Sequence, residues 1–212
     1  WAVAFVLLNR AIAVAGEESN DIFIFDVNET LKPREPLKFH TAPIRSLASS
    51  SDGRYLVSGS DDERIAFWDL QFGQKYREPM KIHASGSIQS LCFSSDGNYL
   101  AIGTRNGHII LYNFAELKQN SDPKPILSER YPWGAVNDIR FFESNDRLVA
   151  CGSKGIFRIF HSETGLELLS VKAAEEPTAL LDGLTTIAVS PDEKTIAVGH
   201  YSDGKIRLFP VK

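Results

Sequence analysis

Apolar residues in this chain come in runs of roughly four to seven positions, rich in Val, Ile, Phe, Tyr and Trp, and a polar turn cuts off each run. Ile44–Ser49 carries Ile44 and Leu47 before Ser51-Asp52-Gly53 reverses the chain. Tyr55–Ser60 and residues 65–69 follow on either side of the polar turn Asp61-Asp62-Glu63, and residues 79–82 give a fourth extended piece after a loop at Gly73. Asp-Gly, Asn-Gly and Ser-Asp at the breaks favour tight reversals, so the pattern predicts antiparallel hairpins. No stretch keeps the 3.6-residue apolar period over about ten positions, the mark of an amphipathic helix. Residues 114–118 offer a turn of helix at most. The apolar opening, residues 1–8, stops at Asn9-Arg10 and has no basic leader. It is far short of the ~20 residues a membrane helix needs. It reads as two strands around a turn, with no targeting or transmembrane segment.

The chain repeats itself. Arg34-Glu35-Pro36-Leu37-Lys38-Phe39-His40 returns 43 residues later as Arg77-Glu78-Pro79-Met80-Lys81-Ile82-His83. Ser50-Ser51-Asp52-Gly53-Arg54-Tyr55-Leu56 returns as Ser94-Ser95-Asp96-Gly97-Asn98-Tyr99-Leu100, and Ser190-Pro191-Asp192-Glu193-Lys194 is a looser copy. Gly16, Gly59, Gly103, Gly152 and Gly199 recur at steps of 43, 44, 49 and 47, each followed by an aromatic: Phe25, Trp68, Tyr112, Phe160 and Phe209. Four short strands per repeat of about 44 residues, with the pattern running through five copies, predict an all-β fold of four-stranded antiparallel blades around an axis.

These residues resemble the WD40-repeat family. The second copy carries the pattern most fully: His40, Ile44-Arg45-Ser46-Leu47, the Asp52-Gly53 turn, Leu56-Val57-Ser58-Gly59-Ser60, Asp62 and Trp68-Asp69. The resemblance implies a β-propeller in one domain over residues 1–212, with blades at about 1–40, 41–83, 84–131, 132–172 and 173–212, the last lacking its outer strand. It implies that His40, Ser58, Asp62 and Trp68 form a structural hydrogen-bond tetrad, since each alone would be costly to bury. The pattern is eroded elsewhere: the third copy has Ile102 and Asn106 at the Ser and Asp positions. Propellers of this family usually close with seven blades, so part of the ring is expected outside this sequence; a closed five-bladed ring is the alternative.

Composition narrows the chemistry. Net charge is −4, with Lys+Arg 23 against Asp+Glu 27, so nothing in the total points to direct nucleic-acid or anionic-membrane binding. Cys92 and Cys151 are the only cysteines, which excludes a disulfide framework and suits an intracellular protein, cytoplasmic or nuclear. Both sit in apolar strands and read as small core residues. There is no Gly-x-Ser-x-Gly elbow, phosphate loop, dinucleotide fingerprint or His-Glu-x-x-His. The five histidines are scattered, and the reading calls for no catalytic residue, metal or cofactor. Asp52, Asp96 and Asp192 recur in turns, where a short carboxylate caps the backbone. Glu17-Glu18 reads as a solvated hairpin tip, and Asn28-Glu29-Thr30 as an unused glycosylation sequon.

Function is then expected on the loops, since the strands are core. In this family partners usually meet the start of the first strand and the turn between the second and third. Carried over by resemblance, the strand-start positions are Arg45, Gln89, Asn137 and Thr185, and the turn positions are Asp61, Arg105, Lys154 and Tyr201. Trp133, in Tyr131-Pro132-Trp133-Gly134, is a further candidate anchor. The mixture suits other proteins or peptides better than a small-molecule pocket. The leading expectation is a non-catalytic interaction scaffold, a subunit of a multiprotein complex. The alternatives are a phosphopeptide reader using Arg45, Arg105 and Lys154, and, more remotely, a propeller enzyme. For the last, the assignable inner-strand positions offer one acid, Asp138, and no histidine. The long segments 113–124 and 173–183 read as tolerated insertions.

Overall fold

The computed structural model describes residues 2–16, 19–27, 34–71, 74–81, 86–120, 122–132, 134–173, 183–201 and 203–211. Among these residues the strands form five antiparallel sheets, four of four strands and one of three. The chain divides into two compact units, residues 1–91 and 92–212.

In the first unit, β1 (Ala2–Val6), β2 (Ala11–Ala15), β3 (Asp21–Asp26) and β4 (Leu37–Lys38) meander into one sheet. β5 (Ile44–Ser49), β6 (Tyr55–Ser60), β7 (Arg64–Asp69) and β8 (Gln74–Lys81) form the next. β6 is buried along its whole length, so it shows no in–out alternation: both of its faces are covered. Ala11, Ala13 and Ala15 of β2 pack with Ile44, Leu47, Leu56 and Trp68 in one apolar cluster. β9 (Ile88–Phe93) starts in the first unit and ends in the second; β10 (Tyr99–Thr104), β11 (His108–Asn113) and β12 (Leu127–Arg130) complete its sheet.

Between β11 and β12 the sequence makes more helix than the single turn expected. α1 (Phe114–Gln119) is capped by Asn113, whose side chain accepts from the amides of Ala115 and Glu116, and it buries Phe114 and Leu117. The cap explains why so short a helix is held. In the second unit β13 (Val136–Phe141), β14 (Arg147–Gly152), β15 (Ile156–His161) and β16 (Glu167–Lys172) form the fourth sheet, and β17 (Leu184–Val189), β18 (Thr195–His200) and β19 (Ile206–Pro210) the fifth. Val149, Cys151, Phe157, Leu184, Ile187, Ile196 and Val198 lie in one buried cluster that joins these two sheets.

The recurring turns have one physical construction. Gly53, Gly97, Asn145 and Glu193 all adopt left-handed φ, between 58° and 73°. Each donates its amide to the carbonyl three residues back, at 2.8–3.0 Å. Where the turn reads Ser-x-Asp, the hydroxyl of Ser50, Ser94 or Ser190 donates to the carboxylate two residues on, at 2.5–2.6 Å. These turns also fasten neighbouring sheets within a unit. The Leu7 amide donates to Gly53 O at 2.9 Å, the Ser95 amide to Asn145 Oδ1 at 2.8 Å, and the Ser144 amide to Glu193 Oε1 at 2.5 Å.

Strand register corrects two of the glycine landmarks. Gly59, Gly103 and Gly199 are equivalent, opposite Ile65, Ile109 and Ile206. Ala15 and Cys151, not Gly16 and Gly152, hold that position in the other two sheets, opposite Ile22 and Phe157. A Cβ on Gly59 would lie 2.4 Å from Ile88 Cγ2, so glycine lets Ile88 approach this closely, whereas the sheets with Ala15 and Cys151 accommodate a Cβ at that position. Large apolar side chains stay exposed on the first and last strands: Val3 and Phe5 on β1, Ile206 and Leu208 on β19.

Candidate interaction surface

The first strands of three sheets begin with an extra residue. Ile44 pairs with Ser60 and Ser46 with Gly59, so Arg45 is left without a ladder partner. The same slip leaves out Asn137, between Val136 and Asp138, and Thr185, between Leu184 and Thr186. Such a bulge bends the strand and re-aims a side chain that a regular strand would commit to one face. It also explains the sequence: Ile44/Leu47, Val136/Ile139 and Leu184/Ile187 are buried pairs three apart, a spacing that a regular strand cannot bury on one face. Ile88/Leu91 has the same spacing, with Gln89 half-buried between them. This spacing was the available signal for the bulges, and composition alone does not carry it.

Beside each bulge lies the turn between second and third strands. The amides of Asp61, Ser153 and Tyr201 donate to Pro43 O, Ala135 O and Gly183 O at 3.0, 3.0 and 3.2 Å, closing turn onto strand start. Ser153, not Lys154, is therefore the counterpart of Asp61, because the fourth sheet is shifted by one residue relative to the glycine count; Lys154 is the next residue and is exposed. Arg105 is exposed and Tyr201 is 61% exposed. Trp133 lies outside the described residues, as do Glu17-Glu18, the sequon at 28–30, His83 and most of segment 173–183.

Several candidates are already engaged. Arg45 donates through Nε to Asp61 Oδ2 at 2.8 Å, with Nη2 2.6 Å from the same oxygen, so two of the expected surface residues form one ion pair. That pairing offsets the positive charge a phosphate reader would ask of Arg45. Asn137 Nδ2 donates to Leu184 O of the neighbouring sheet at 2.7 Å, and Thr185 Oγ1 to Gly199 O at 3.4 Å. Directly after two of the bulges sit residues that tie sheet to sheet: Ser46 Oγ accepts from the Leu91 amide at 2.9 Å, and Asp138 Oδ2 accepts from the Ile187 amide and Thr186 Oγ1, both at 3.0 Å. Asp138, the one inner-strand acid, is thus committed to structure.

His40, Ser58, Asp62 and Trp68 meet in one buried chain of hydrogen bonds. His40 Nδ1 lies 2.9 Å from Asp62 Oδ2 and Nε2 lies 2.8 Å from Ser58 Oγ, which also accepts from Trp68 Nε1 at 3.0 Å. The His40 side chain has 0% exposure. Burial outweighs the attraction of Asp62 and holds the imidazole pKa below its ordinary 6.5, with Arg64 reinforcing the shift. The folded protein therefore keeps the ring neutral where the unfolded chain takes up a proton. This stability is complete above about pH 6.5 and drains away as pH falls toward the lowered value. Urea midpoints measured from pH 7.5 down to 5.5 should decline in the wild type, and a His40→Gln variant should lose that part of the slope. Equal slopes would show that His40 does not couple to folding.

Burial pushes both cysteine thiols up, so each is held protonated. Among the described residues no group of three or more His, Cys, Asp and Glu side chains could hold a metal ion. No helix among them is long and apolar enough to cross a membrane.

The family profile described as "WD domain, G-beta repeat" matches residues 31–69, 75–113 and 178–209, just over half of the chain. The chain belongs to the WD40-repeat family. Its fold is that of a β-propeller: a crystal structure of the Cps50 (Swd1) β-propeller domain from Myceliophteria thermophila superimposes with a TM-score of 0.77 at 22% identity, covering 100% of this chain and 65% of that one. Among curated proteins, this WD40 chain is 26% identical to eukaryotic translation initiation factor 3 subunit I of Candida glabrata over 216 aligned residues, 91% of this chain and 58% of the relative. It is 29% identical to nuclear distribution protein PAC1 of Candida dubliniensis over 93 residues, 44% of this chain and 16% of that protein. The chain thus spans less than two thirds of the length of the curated relatives it matches.

Proposed function

We propose that this WD40 chain is a non-catalytic scaffold for protein–protein contacts and works as a subunit of a multiprotein complex. The observation that carries the reading is the recurrent bulge at Arg45, Asn137 and Thr185, each closed by a backbone hydrogen bond from the adjoining turn. That construction presents polar and aromatic side chains on a rigid base, which lowers the ordering cost of binding. Asp61, Lys154 and Tyr201 belong to the adjoining turns, Gln89 and Arg105 hold the corresponding strand-start and turn places in the third sheet, and Trp133 is retained as a candidate anchor from its sequence context. The similarity to a protein named as a subunit of translation initiation factor 3 supports a place in an assembly. With two cysteines and relatives of this kind, we place the protein inside the cell, in cytoplasm or nucleus, bound to proteins or peptides and not directly to nucleic acid, metal or membrane.

Affinity capture of the tagged protein, followed by identification of what co-purifies, tests the reading. Arg105→Glu and Tyr201→Ala are expected to deplete at least one stoichiometric partner several-fold while the urea midpoint stays at the wild-type value. Undiminished capture by both variants would remove these loops from the binding surface.

A further inference from the structure

We propose that a second docking site lies in the first unit, in the cleft between turns 7–10 and 51–54. It takes an extended segment of a partner protein that carries a carboxylate beside an apolar side chain. The cleft has a volume of about 380 Å³, and three guanidinium-bearing residues line it: Arg10, Arg34 and Arg54. It goes beyond the scaffold reading, because Arg54 precedes β6 whereas Asp61 follows it; the two surfaces lie at opposite ends of that strand.

Two of the three cations are fixed in place. Asp26 grips Arg34 through both carboxylate oxygens, at 2.9 and 2.6 Å. Asp69 Oδ2 accepts from Nε and Nη2 of Arg54 at 3.0 and 2.7 Å. Asp52, the other acid on the wall, is occupied by the Ser50 hydroxyl at 2.5 Å and the Arg54 amide at 3.0 Å. Arg10 differs from its neighbours: it is exposed, and no hydrogen bond or ion pair engages its guanidinium among the described residues. A guanidinium without a carboxylate partner, beside two that each have one, suits a single carboxylate, which it binds through paired hydrogen bonds.

The apolar half of the recognition comes from a strained turn. Leu7, Leu8 and Asn9 hold left-handed φ of 52°, 53° and 64° in succession, a conformation that costs each non-glycine residue about 1 kcal/mol or more. The Leu7 amide bond to Gly53 O and the Arg10 amide bond to Leu7 O, 3.2 Å, hold the strand reversal in that form. The result is a leucine, Leu8, left 67% exposed on the wall that also carries Arg10. A Cβ on Gly53 would stand 2.4 Å from the Leu8 amide nitrogen, so the glycine is what lets the two turns approach this closely. An apolar wall with one unpaired cation fits a peptide side-chain pair, whereas a polyanion would call for several unpaired cations.

Fluorescence anisotropy with a fluorescein-labelled peptide of alternating leucine and glutamate tests the site. Saturable binding is expected. Arg10→Glu should weaken it about tenfold or more, the scale of one charge-assisted hydrogen-bonded pair, and Leu8→Ser several-fold. Lys124→Glu, on an exposed lysine of the second unit, should leave binding unchanged. If Arg10→Glu alters the urea midpoint, Arg10→Gln takes its place. The proposal is overturned by non-saturable binding, by wild-type affinity in the Arg10 and Leu8 variants, by equal binding of a peptide with lysine in place of glutamate, or by tighter binding of a single-stranded RNA of the same length. None of these outcomes bears on Arg105 or Tyr201, so the two surfaces stand or fall separately.

Discussion

Ser58→Ala is expected to lower unfolding free energy by about 2–4 kcal/mol, because one hydroxyl serves two buried nitrogens and its loss strands both. Ser58 is fully buried and its oxygen stands between His40 Nε2 and Trp68 Nε1. A methyl group in its place leaves an indole N–H and an imidazole nitrogen without partners in a dry interior, each costing roughly 1–3 kcal/mol. For a chain of this length the change corresponds to a fall in melting temperature of about 5–15 °C. Trp68→Phe should cost less, about 1–2 kcal/mol, since it removes a donor and leaves the serine bound to His40; phenylalanine already stands at that position in Phe25, Phe160 and Phe209. Urea unfolding followed by tryptophan fluorescence and far-ultraviolet circular dichroism measures both. A Ser58→Ala shift below about 0.5 kcal/mol, the level of an ordinary surface change, would mean that the four side chains do not act as a unit.

The tetrad was legible because each member is an unusual residue for its setting. His40, Ser58, Asp62 and Trp68 stand together in the second copy alone, around the Gly59-Ser60 strand end, and family resemblance supplied the link between them. The turns were legible for a local reason: Ser-x-Asp-Gly holds its own hydrogen bonds within four residues, so Ser50 to Gly53 and Ser94 to Gly97 form the same object wherever they occur. The strand-start surface was harder to read. Alternation along a strand assumes one residue per ladder step, and Arg45, Asn137 and Thr185 violate it. Gly152 was misplaced relative to Gly59 although both sheets carry the same slip: Gly152 faces Val136 before the bulge and Gly59 faces Ser46 after it, a difference that a count of residues between glycines does not register. The pairing of Arg45 with Asp61 lay beyond the sequence for another reason: a turn of the chain, not spacing, brings residues sixteen apart together. Arg10 gave no signal at all. A lone arginine after an asparagine reads as solvated surface until the fold lays Arg34 and Arg54 beside it.

Asp138→Ala is the second large effect, and it reaches from stability to the interaction surface. The carboxylate is nearly buried, and its Oδ2 gathers the Thr186 hydroxyl and the Ile187 amide from the adjacent blade. Hydrogen bonds to an ionised acceptor contribute more than neutral ones, and alanine would leave the Ile187 N–H, in a residue 1% exposed, facing no acceptor. A loss of about 3 kcal/mol is expected for Asp138→Ala, and about 1 kcal/mol for Asp138→Asn, which keeps an oxygen at the site. In the second blade Ser46 performs the same task with a neutral hydroxyl toward the Leu91 amide, so Asp138→Ser should recover part of the loss. Because Asp138 directly follows the bulged Asn137, which holds Leu184 O, loosening this tie should also disturb Asn137 and Thr185. Partner capture by Asp138→Ala should therefore fall at temperatures where the variant remains folded, although Asp138 itself is not on the surface. Hydrogen exchange at Ile187 provides the direct readout: its amide should lose protection in Asp138→Ala and keep most of it in Asp138→Asn. Unchanged protection in the alanine variant would show that the carboxylate does not carry the link between blades, and would return the one inner-strand acid to the pool of groups available for chemistry.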